Sequence, residues 1–138
     1  MPRSLILAAL LGAAASPALA CGYCVEDKIA SAYDHAVVAH ALDAGHHVAF
    51  FHLDGPLTQN DATKRALLSA AASVPGVDKG SARVSLDTLT IAFAFDPKRT
   101  SLPAIQKILD RKLAARSVAA FPMRVIERPG DLKEIPQR

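Results

Sequence analysis

The chain has no tryptophan and only two cysteines, two methionines and two tyrosines in 138 residues. Two cysteines allow at most one disulfide. Cys21 and Cys24 would close so short a loop that the bridge adds little stability, so no disulfide scaffold is present. A formal net charge of +3 and an aromatic content of 5 %, scattered along the chain, argue against nucleic-acid or membrane-surface binding. Long apolar runs are also scarce. The one that stands out, Ser4 to Ala15, is about a dozen residues, against the roughly 20 a membrane span requires. No transmembrane segment is expected.

What the chain does have begins with that run. Arg3 precedes it and Ala18-Leu19-Ala20 follows, the small-x-small form that a signal peptidase cuts. Residues 1–20 read as a cleaved export signal, placing the mature protein in the periplasm or outside the cell. Loss of Arg3 lowers the formal charge from +3 to +2. The mature chain then starts with Cys21-Gly22-Tyr23-Cys24. Lipid attachment at Cys21 is the competing reading. A lipoprotein signal usually has Leu at −3 and a small residue at −2, whereas Ala18 and Leu19 stand there.

From Cys24 to Ala44 one amphipathic helix is expected, with Val25, Ile29, Tyr33, Val37 and Ala41 at i+4 spacing and Gly45 ending it. Residues 21–45 thus form an N-terminal helix carrying the CxxC. Val48 to Leu53 is apolar on both alternating faces, as in a strand covered on both sides. Thr58 is read as the cap of a helix running to Ser73, stopped by Val74-Pro75-Gly76. Two strands follow, through Ala82–Leu86 and Leu89–Phe95, joined at Asp87-Thr88. A helix from Leu102 to Ala115 and a strand from Phe121 to Ile126 complete the set, and Pro122 confines that strand to a sheet edge. The polar segment 128–138 is expected to fray, although Leu132 and Ile135 could dock. After the first helix the order is β-α-β-β-α-β, which predicts an α+β, ferredoxin-like sandwich over residues 46–127.

Large residues in Leu89–Phe95 (Leu89, Ile91, Phe93, Phe95) alternate with small ones (Thr90, Ala92, Ala94). The large set should face the two regular helices. The small set leaves room for the N-terminal helix on the face that this fold normally leaves open.

Residues 46–127 resemble the heavy-metal-associated domain of small copper chaperones and of the N-terminal modules of copper-pumping ATPases. The resemblance rests on Val74-Pro75-Gly76-Val77 at the end of the first helix and Phe95-Asp96-Pro97-Lys98-Arg99-Thr100-Ser101 after the third strand. It implies the fold and carries over no ligand residue. The family's loop motif, Gly-Met-x-Cys-x-x-Cys, is not met. Gly55 matches its glycine, but Pro56, Thr58 and Asp61 stand at the Met and the two Cys positions.

The chemistry therefore falls to Cys21 and Cys24. Two thiolates suit Cu(I), which tolerates two- or three-coordinate sulfur, and could contribute to Zn(II) if two further ligands arrive. The freed α-amino group of Cys21 is another donor. Two alternatives stand beside this: a thiol-disulfide partner of another exported protein, or an interaction module whose CxxC is an idle disulfide. A thioredoxin-type enzyme is not expected, because no strand precedes the motif to position it. Expected partners are a metal ion and an exported metal-handling or thiol-containing protein. Among the histidines, His52 is the nearest third-ligand candidate if the helix runs back along its strand toward the loop 54–58. His40, His46 and His47 form a second, weaker candidate patch. His35 lies eleven residues past Cys24, about 16 Å along a helix, too far to share its site.

Overall fold

Four strands form one antiparallel sheet in the order β2-β3-β1-β4: β1 (His47–Asp54), β2 (Arg83–Ser85), β3 (Thr90–Phe95) and β4 (Ala119–Ile126). The computed structural model describes residues 24–134. Helix α3 (Asp61–Ala72) connects β1 to β2, and α4 (Leu102–Leu113) connects β3 to β4. This is the ferredoxin-like arrangement. Two more helices, α1 (Val25–Ala32) and α2 (His35–Asp43), precede β1.

Strand alternation divides the core into two layers. Ala49, Phe51 and Leu53 of β1 and Ile91, Phe93 and Phe95 of β3 face Leu67 and Ala71 of α3 and Ile105, Leu109 and Leu113 of α4. The Phe51 and Phe93 rings stack 5.5 Å apart in the middle of that layer. The opposite set, Val48, Phe50, Ala92, Ala94 and Ile126, packs against Ile29 and Ala32 of α1 and Val38 and Ala41 of α2. The small residues of β3 do receive the N-terminal helices, and Ala92 and Ala94 are 3 % and 1 % exposed. Phe50 and Phe51 are successive in β1, point to opposite faces, and are both fully buried.

The N-terminal segment departs from the single helix expected. It breaks at Tyr33-Asp34, both in extended conformation. Asp34 is the cause. Its Oδ1 accepts from the Ala36 and Val37 N–H groups at 3.0 and 3.2 Å, capping α2, and its Oδ2 accepts from Arg83 Nε at 2.9 Å. Residues at i+4 also precess by about 40° per step on a straight helix, so five of them cannot all face one sheet. The break resets the stripe. Ile29, Ala32, Val38 and Ala41 become the buried residues, while Val25 is left 42 % exposed.

Smaller differences have equally local reasons. Helix α3 starts at Asp61 because Asn60, not Thr58, caps it, its Oδ1 accepting from Thr63 N–H at 2.8 Å. Leu89 sits in the turn before β3, with φ 51°, and its N–H reaches the Leu86 carbonyl at 3.4 Å. Pro122 lies on the edge strand as expected, beside a register shift between Phe50 and Phe51 that leaves Met123 without a partner in β1. The start of the C-terminal segment is ordered where fraying was expected. Pro129–Glu134 forms a 3-10 helix, and Asp131 Oδ2 accepts from the N–H groups of Glu127 and Arg128 at 2.9 and 3.2 Å. Ile135 lies outside the described residues.

Asp34 yields a pH-dependent prediction. The Arg83 guanidinium, then the Val37 and Ala36 N–H groups, hold its carboxyl below the ordinary carboxylate value, against a smaller opposing effect of burial. A depressed folded value means the contribution is present above the unfolded value, about pH 4, and fades as pH falls through the folded one. Asp34→Asn keeps the cap and removes the charge. With both partners a third or more exposed, it should cost at most about 1 kcal/mol near neutral pH. The difference from the natural protein should close below about pH 4. Asp34→Ala also removes the cap and should cost about 1 kcal/mol more at either pH. Urea melts of the three proteins at pH 7 and pH 3 read both effects. A gap that widened in acid would contradict the assignment.

Candidate metal centre

Cys24 is the N-cap residue of α1 and is exposed. Its Sγ–H donates to Asp27 Oδ2 at 3.2 Å, one turn along. Cys21 lies outside the described residues. The backbone that carries Cys24 is tied to the sheet at three places by side chains that follow it. Glu26 Oε1 accepts from Arg124 Nη2 of β4 at 3.2 Å, with the Arg124 side chain only 21 % exposed. Lys28 Nζ lies 3.3 Å from His52 Nδ1 of β1. Ser31 Oγ lies 2.6 Å from Thr88 Oγ1 in the β2–β3 turn, and Thr88 in turn donates to the buried Thr90 hydroxyl at 3.0 Å. Arg124 Nη1 is buried with no partner among the described residues, so the Glu26 pair satisfies only part of that guanidinium.

These ties set the direction of the added helices. His52 stands two residues before the end of β1, so the first turn of α1 lies over the far part of that strand. At the other end the His46 N–H donates to the Ala41 carbonyl at 2.8 Å, and α2 hands directly into β1. Taken in chain order, Glu26 meets β4, Lys28 meets β1, Ser31 meets the β2–β3 turn and Asp34 meets Arg83 of β2. Helix α1 therefore crosses the sheet instead of running back along β1, and only its start lies over the far part of that strand.

His52 does point to the helix side, but it meets Lys28 and not a thiol. Its Nδ1 is also 3.2 Å from the Leu89 carbonyl. Either that nitrogen carries a proton and donates to Leu89, or it is bare and accepts from Lys28. In both cases an ammonium group stands at the ring and opposes a metal cation on that side. Only Nε2 is left for a ligand role.

The other three candidate histidines do not converge. His46 Nδ1 is 2.8 and 3.0 Å from the two Asp78 carboxylate oxygens, and its Nε2 is 3.8 Å from Asp96 Oδ2. His47 turns to the opposite side and meets the Phe95 ring edge-on at 5.6 Å. His40 lines a cleft beside His46. Among the described residues there is no group of three or more His, Cys, Asp and Glu side chains able to hold a metal ion. A centre on Cys24 therefore needs Cys21, the α-amino group or a donor from another molecule.

Comparison with known proteins adds little. No protein-family model and no curated protein matches the chain. One similar solved structure is the oxidized MerP of Ralstonia metallidurans CH34, at 19 % identity and a TM-score of 0.45. The likeness covers 57 % of this chain and 99 % of that one. Among the described residues no helix is long and apolar enough to cross a membrane.

Glu26 and Asp27 are legible in the sequence as first-turn acids beside Cys24, whereas Lys28 and Arg124 were missed as neighbours of the cysteine end. The Asp27 contact with Cys24 was legible in principle, since i,i+3 side chains share a helix face. Glu26–Arg124, 98 positions apart, and Lys28–His52, 24 apart, follow only from the register of α1 on the sheet.

Proposed function

We propose that the protein is an exported carrier that binds and relays a soft metal ion, copper first and zinc second, through Cys21 and Cys24. The observation that supports this is the exposure of Cys24 on a helix whose first turn is pinned by Glu26–Arg124 and Lys28–His52. A dithiol near such a turn is accessible to a donor or acceptor protein, and the pinned backbone spares much of the ordering entropy of docking. Two thiolates satisfy Cu(I), whereas Zn(II) would need further ligands, for which a partner's side chains or His52 Nε2 are the candidates. The protein supplies affinity and transfer and no chemical step of its own.

Reduced mature protein should bind one Cu(I) in competition with a strong chelator, and Cys24→Ser should abolish that binding. Retained affinity in Cys24→Ser would move the site to the histidines and end the proposal. A mixed disulfide trapped through Cys21 in the same variant would favour the thiol-disulfide reading. The mass of the mature protein shows in the same sample whether cleavage precedes Cys21 and whether lipid is attached there.

A further inference from the structure

At the end of the sheet opposite Cys24 there is a cleft of about 830 Å³, within the range of roughly 300–1,000 Å³ typical of small-ligand sites. One wall is α2, through Ala36, Val37 and His40, and the other is the loop 73–81 that follows α3. Ala94 of β3 forms part of the floor. The space has a structural origin. Strand β2 is three residues long, so beyond it the chain leaves the regular ladder. It meets β3 and Asp96 through the Val77–Phe95 bridge, the Asp78 and Ser81 contacts to Ala94 and the Asp96 N–H to the Gly76 carbonyl. Small side chains at Ala36, Ala44 and Ala94 leave the resulting gap unfilled.

The two carboxylates at the cleft are both turned to His46: Asp78, the only one among the lining residues, to Nδ1, and Asp96, just outside, to Nε2. Lys79 and Arg99, both exposed, have no ion-pair partner among the described residues. Several of the terminal carbonyls of the helix ends that reach the cleft are already occupied. Ala44, Gly45 and His46 donate to His40, Ala41 and Leu42 of α2, and Ser73 and Val74 donate to Ser69 and Ala71 of α3.

We infer that this cleft binds a small organic carboxylate, its apolar body lying over Val37 and Ala94 and its carboxylate meeting Arg99 and Lys79. This site is independent of the cysteines and goes beyond the proposed metal relay.

Octanoate, octylammonium and octanol, three probes with one tail and different heads, test it on the full mature chain by amide NMR titration near pH 7. Octanoate should shift amides of residues 36–44, 73–81 and 94 and bind more tightly than either analogue. Lys79→Glu with Arg99→Glu replaces two attractions by two repulsions at exposed positions, and a urea melt of the variant checks that it is folded. It should weaken octanoate by about tenfold or more. A bulky Ala36→Trp, which fills the cleft from an exposed helix position, should reduce binding of octanoate with the charges intact. Equal binding of the ammonium analogue, shifts elsewhere on the protein, indifference to the charge reversal, or no response at millimolar octanoate would each overturn the assignment.

Discussion

Phe50→Ala and Phe51→Ala are each expected to lose about 3–5 kcal/mol of folding stability, the usual cost of truncating a fully buried aromatic side chain. The equality is the informative part. Phe51 lies in the layer beneath α3 and α4, where any ferredoxin-like domain is dry. Phe50 points the other way and is buried only because Ile29, Ala32, Val38 and Ala41 cover it. On a bare sheet face its truncation would cost little, since an exposed side chain loses almost nothing on removal. Each loss is a large share of the 5–15 kcal/mol that holds an ordinary domain together. Urea melts should therefore show both midpoints falling steeply and by similar amounts. A Phe50→Ala midpoint near that of the natural protein would mean that α1 and α2 leave the sheet in solution.

Gly55→Ala should be nearly as damaging, for a backbone reason. Gly55 has φ +147°, outside the range comfortable for a side chain. A Cβ there would also run into the Ser117 carbonyl oxygen and come within 2.9 Å of Val118 Cα. Both obstacles are backbone and cannot swing aside. Strain and overpacking each cost about 1–3 kcal/mol, so the variant should be destabilised by several. Gly80→Ala is the control. Its φ is +75° but nothing lies within 4 Å of the added carbon, so only the conformational cost of about 1 kcal/mol applies. Parallel thermal melts separate the two. If Gly55→Ala were as mild as Gly80→Ala, the close approach of the loop after β1 to the start of β4 would be disproved. That loop matches the glycine of the heavy-metal-associated motif and lacks its cysteines. Here the glycine has a structural duty that does not depend on a metal.

Much of the architecture was legible in the residues themselves. Period-2 alternation in Leu89–Phe95, the doubly apolar Val48–Leu53 and the turn at Val74-Pro75-Gly76 are local signals, and each has its counterpart in the structure. Pro122 specified an edge because it lacks the N–H a central strand must donate. The alternation of large and small residues in β3 even assigned a helix to each face, since side-chain volume decides what can approach a sheet. The break at Asp34 was not legible. Capping by Asp34 competes with helix continuation on nearly equal terms, and the Arg83 contact that favours the break comes from 49 positions away. The same holds around the candidate centre. The chain supplies a CxxC and five histidines, but spacing along it says nothing of which side chains meet across the sheet. Only the register of α1 on β1 and β4 set Lys28 at His52 and Glu26 at Arg124, and only the fold of the loop after α3 turned His46 to Asp78. Periodicity is a property of neighbours in sequence, whereas polar pairing depends on distances that exist only once the layers have closed.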